Sequence, residues 1–165
     1  MTTDDERDEL LRIYLDDHLA GATAGMKRAE RLAEAEADSQ DGPALEMFAT
    51  DVATDRDALL ALMEVLDVQP SPLKTGIAAV GEKLGALKPN GRVVERSPLT
   101  TVVELEAMQM AVRGKRSLWE TLREMVPSTC PIDVDSLIAR ADDQLAVLAG
   151  LHAGRVAVTF AVPSN

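Results

Sequence analysis

Residues 11–32 read LRIYLDDHLAGATAGMKRAERL. Leu11, Leu15, His18, Ala22, Gly25, Ala29 and Leu32 recur at steps alternating between four and three. That is the 3.5-residue period of a helix laying one stripe along a bundle seam. Upstream, Thr3 can accept the N–H three residues on while Glu6 reaches back, and Asp4, Asp5 and Glu6 suit the positive end of a helix. The spacing predicts helix A to end near Asp38, before Ser39-Gln40-Asp41-Gly42-Pro43.

Three more helices follow by the same reading. Helix B opens with Pro43 in its first turn, where the missing N–H costs nothing. Its stripe is Leu45, Phe48, Val52, Asp55, Leu59, Leu62 and Leu66, and it stops before Pro70-Ser71-Pro72. Helix C starts from Ser97 as cap and Pro98, with Leu105, Met108, Val112, Lys115, Trp119, Leu122 and Val126 in line. Helix D spans about 133–161, with Val134, Ile138, Ala141, Leu145, Leu148 and His152 inward. Between B and C, Ser71 and Pro72 open one short helix carrying Leu73, Ile77, Val80, Leu84 and Leu87, which Lys88-Pro89-Asn90-Gly91 ends. Short A–B and C–D loops make each pair antiparallel neighbours. The expected fold is an all-α four-helix bundle, one domain over residues 1–165.

Composition agrees and narrows the function. Tyr14, Phe48, Trp119 and Phe160 are the only aromatic residues, too few for a typical β-sandwich. A net charge of −11 opposes nucleic-acid binding, because an anionic surface repels phosphates. No apolar run approaches the roughly 20 residues of a membrane helix, and the N-terminus lacks a signal-peptide pattern. Cys130 is the single cysteine, so no intrachain disulfide can form. A reducing cytoplasm is the expected setting.

The connection pattern (short, long, short) resembles the ferritin-like superfamily, whose long link crosses the bundle to give an up-down-down-up order. Asp17-His18-Leu19-Ala20-Gly21-Ala22, Leu87-Lys88-Pro89-Asn90-Gly91-Arg92 and Ser97-Pro98-Leu99 also resemble a group of uncharacterised bacterial helical proteins. That second likeness brings no activity with it. Di-iron members of the ferritin-like group carry Glu-x-x-His on two helices. Here Leu15 stands three residues before His18 and Ala149 three before His152, so both motifs are missing. No metal and no cofactor is expected.

Four polar residues break the apolar stripes: His18, Asp55, Lys115 and His152. A buried charge left alone costs several kcal/mol, so these should be paired or lie near an end. At a rise of about 1.5 Å per residue, Asp55 lies roughly 20 Å below the A–B end. If the long link crosses the bundle, Lys115 lies about 25 Å below that end and the two can pair. If B and C run antiparallel, the pair separates by about 10 Å and the two histidines reach similar heights instead. An Asp55–Lys115 pair would fix helix register. Its functional counterpart is a polar interior pocket formed by His18, Asp55, Lys115 and His152 that binds a small ligand or a metal.

Two further features remain. Gly21 with Gly25, and Gly150 with Gly154, clear one helix face each, either for close approach of A to D or for a dimer contact. On an otherwise acidic chain, Lys88, Arg92 and Arg96, with Lys74 and Lys83, surround the Asn90-Gly91 turn. This basic turn suits an acidic protein partner or a second copy of the chain. No phosphate loop, catalytic triad or activated cysteine is legible. The sequence therefore points first to a non-enzymatic interaction or scaffold bundle, with a ligand-binding bundle as the alternative. No catalytic residue is assigned.

Overall fold

A computed structural model describes residues 3–71 and 97–161. These residues form four α-helices: α1 (Asp4–Ala35), α2 (Gly42–Val65), α3 (Pro98–Arg123) and α4 (Val134–Thr159). The short helix expected after Ser71, and the basic turn with Lys88, Asn90, Arg92 and Arg96, lie outside the described residues.

Helix α1 begins as its first residues dictate. The Thr3 hydroxyl accepts the Glu6 N–H at 3.3 Å, and three acids occupy the first turn. Asp133 caps α4 in the same way, accepting the Ser136 N–H at 3.2 Å. The Ser136 hydroxyl, donating to the same carboxylate at 2.6 Å, and then this N–H hold the Asp133 carboxyl below its usual pKa. Ser97 precedes α3 with extended backbone but makes no side-chain cap bond, so Pro98 alone marks that start.

At its far end α2 closes with a left-handed residue. Asp67 has φ 55°, and the Val68 N–H reaches back to the Met63 carbonyl at 2.9 Å. Val68 is buried, as the residue following such a cap usually is.

Helix α1 packs on α2, and α3 packs on α4, as two hairpins in a bundle-like arrangement. Their shared core holds Leu15, Leu32, Phe48, Leu59, Leu62, Leu105, Trp119, Leu122 and Leu148. Buried polar groups tie the hairpins together. Glu36, just past α1, accepts from Thr101 at 2.6 Å and from Arg155 at 2.5 Å. Arg155 also bonds Asp41 at 2.7 Å. Tyr14, near the start of α1, bonds Thr121 near the end of α3 at 3.3 Å. Helix α1 therefore runs opposite to α3.

The expected glycine contact does not form. Helix α1 takes α2 and α3 as its neighbours, and a Cβ added at Gly21, Gly25, Gly150 or Gly154 would meet nothing within 4 Å among the described residues. Gly150 and Gly154 are exposed on α4. Gly42 is the exception. A Cβ there would stand 2.6 Å from the Ala37 carbonyl oxygen, so the tight α1–α2 turn requires it. No helix among the described residues is long and apolar enough to cross a membrane.

Candidate functional site

Asp55 sits on the inner face of α2, 1% exposed. A carboxylate removed from water needs partners on every side. Lys115 of α3 bonds and ion-pairs with its Oδ2, joining the two residues that the stripes left unexplained. Two residues of α4 complete the cluster. Gln144 donates from Nε2 to the same oxygen at 2.9 Å, and its own Oε1 accepts from Lys115 at 2.5 Å. Arg140 Nε approaches Oδ1 at 2.8 Å, although neither atom gains an aligned hydrogen bond there. One carboxylate thus serves two cations.

The sequence misses Gln144 and Arg140 because its apolar stripe runs through Leu145, whereas α4 buries Leu137, Ala141, Gln144 and Leu148 and leaves Leu145 half-buried. The available signal was their spacing of four, which puts both on one face. Burial pushes the Lys115 ammonium below its ordinary pKa, while Asp55, chiefly through its charge, pulls it back in part.

Alongside this cluster a cleft of about 260 Å³ opens between α1, α2 and α3. Helix α1 supplies Asp17, His18, Gly21, Ala22 and Gly25 to its lining. From α2 come Val52, Asp55, Arg56 and Leu59, and from α3 the wall includes Met108, Val112, Lys115 and Trp119. Among the described residues nothing stands in front of the glycines, so the cleft reaches the α1 backbone itself. Trp119 is 1% exposed, and its Nε1–H finds no acceptor among the described residues. A buried indole N–H normally finds one.

His18 packs edge-on against Tyr14, with ring centroids 4.6 Å apart. Burial lowers its pKa, and the charge of Asp17 opposes that shift. The structure therefore brings His18, Asp55 and Lys115 to one cleft. His152 does not join them. It faces Glu106 of α3, Nε2 to Oε1 at 3.1 Å, and does not line the cleft. Among the described residues, no three His, Cys, Asp or Glu side chains gather where a metal could be held. The lining is apolar with charged groups on one side, which suits recognition of a small molecule.

No family model, curated protein or solved structure matches the chain. The site must be read on its own chemistry.

Proposed function

We propose that this protein is a non-enzymatic, ferritin-like four-helix bundle whose cleft between α1, α2 and α3 takes up a small organic molecule. The end contacts support the up-down-down-up order. Glu36 meets Thr101, Tyr14 meets Thr121, and Arg155 returns α4 to the α1–α2 turn. The pairing of Asp55 with Lys115 fits parallel α2 and α3 for the same reason.

One observation carries the reading of function: among the described residues, nothing fills the cleft in front of Gly21 and Gly25. A glycine inside a helix costs up to about 1 kcal/mol relative to alanine. Unfilled interior space also forfeits contacts that a packed core would gain. Packing among the described residues does not call for these glycines, whereas a ligand lying against the α1 backbone does.

Trp119, the single tryptophan, lines the cleft and serves as an internal reporter. Octanoate and octanamide should be titrated while its fluorescence is followed, in wild type and in Gly25→Leu, which fills the cleft. A saturable change with at least one probe, weakened in the variant, is expected. No saturable change with either probe, or the same response in Gly25→Leu, would sink the reading.

A further inference from the structure

The outer side of α4, away from the cleft, carries no charge over its second half. Every exposed residue between Ala146 and Phe160 is alanine, glycine, valine or phenylalanine. In a chain of which 27% is charged, that stretch exposes no charged side chain on its outer side. Its two cationic residues are turned aside: Arg155 to Glu36 and Asp41, His152 to Glu106.

Helix α3 continues this face. Arg116 bridges Asp142 at 2.6 Å and Glu106 meets His152 at 3.1 Å, which fixes the antiparallel register of the two helices. Leu99, Val103 and Met110 stand seven before, three before and four after Glu106, so they share its side of α3. All three are exposed. With Val147, Val158 and Phe160, this hairpin carries six of the ten large apolar side chains exposed among the described residues. The strip is about 21 Å long and about 20 Å wide, on the order of 600 Å² over two helix half-cylinders. That reaches the lower end of what each partner gives to a stable interface, and patches of this size mark interaction sites.

Charge and shape select the occupant. A net charge of −11 repels anionic lipid. Both arginines of α4 point inward, to Asp55, Glu36 and Asp41, so the helix lacks the basic flank that holds an amphipathic helix to a membrane. Two copies of so acidic a chain approach at least cost through an uncharged face. The face is also complementary to itself. Lay two α4 helices antiparallel across a two-fold axis at the level of His152. Val147 then comes level with the partner's Ala157, Val158 with the partner's Ala146, and Gly150 with the partner's Gly154. Each valine meets an alanine, as interdigitating layers require, and the glycines let the backbones approach at the crossing point, with room for one added methyl.

We propose that a second copy of the chain covers this face, the two α4 helices packing antiparallel about His152 with Leu99, Val103 and Met110 at the margins. The interface is isologous, the same patch serving on both copies.

Sedimentation velocity on the full chain from about 5 to 200 μM should resolve a species of twice the 17.7 kDa chain mass, its share rising with concentration. Gly154→Glu meets open space in the separate chain but sets two carboxylates at the crossing point. It should raise the dimer Kd at least tenfold with helical circular dichroism unchanged. Val158→Glu, at a position 76% exposed, should do the same. Leu10→Glu adds the same charge on α1 and should leave the Kd within twofold. A wild type that stays monomeric overturns the proposal, and flotation of that monomer with phosphatidylcholine vesicles would give the face to lipid instead. A dimer weakened equally by all three substitutions, or by none, overturns α4 as its interface.

Discussion

Asp55 and Lys115 are partners, yet removing one is not equivalent to removing the other. Without Asp55, the buried ends of Lys115 and Arg140 lose their shared carboxylate, and Asp51 offers Lys115 only a weaker charge. Without Lys115, the carboxylate keeps Arg140 and Gln144. Breaking a buried pair so that a charge is left alone costs about 3–5 kcal/mol. Asp55→Asn should therefore cost about 3–5 kcal/mol in urea unfolding, and Lys115→Met only about 1–2 kcal/mol, nearer the loss of a charged hydrogen bond. Equal losses would mean that Arg140 contributes nothing to Asp55. At this scale the sequence was informative about misfits. A charge on an apolar stripe stands out without any structure, whereas Gln144, with apolar Leu145 beside it to carry the stripe, reads as an ordinary surface residue although α4 buries it. His152 misled for the opposite reason: its register matched the stripe, but the roll of α4 turned it towards Glu106.

At the level of the elements, glycines divide into those that geometry requires and those it does not. Gly42→Ala would push a Cβ to 2.6 Å from a backbone oxygen that cannot swing aside. It should destabilise by about 1–3 kcal/mol, the usual cost of overpacking. Gly150→Ala meets open space on an exposed helix face, so it should stabilise by up to about 1 kcal/mol through helix propensity. Thermal unfolding of the two variants should move in opposite directions, and movement the same way would contradict this division. Helix limits were largely legible because caps, prolines and acidic first turns act locally. The end of α2 was less so, since its left-handed Asp67 carries none of the glycine signal that usually marks such a cap.

For the whole molecule, stability should depend on pH through His18. Its folded pKa lies below the ordinary 6.5 because burial disfavours the charged ring. The unfolded chain then binds protons more readily, so stability rises with pH. The contribution is fully present above 6.5, is lost as pH falls through that value, and levels off below the folded pKa. Denaturant unfolding between about pH 7.5 and 5.5 should show this decline. His18→Gln should flatten it, and an unchanged slope in that variant would assign the effect elsewhere.

The sequence by itself determined the four helices and most of their inward stripes, α4 excepted where Gln144 turns in and His152 does not, and it picked out Asp55 and Lys115 as charges needing partners. Helical periodicity and capping are short-range, so they are written in residues three and four apart. Which helix lies beside which, and where space remains between them, was decided only by the tertiary structure. Those outcomes depend on how bulky side chains from different helices meet. Gly21 and Gly25 show the difference. In the sequence they read as a contact between helices, while in the folded molecule the same positions border a cleft, because α1 packs on α2 and α3 and no described residue fills the space before them.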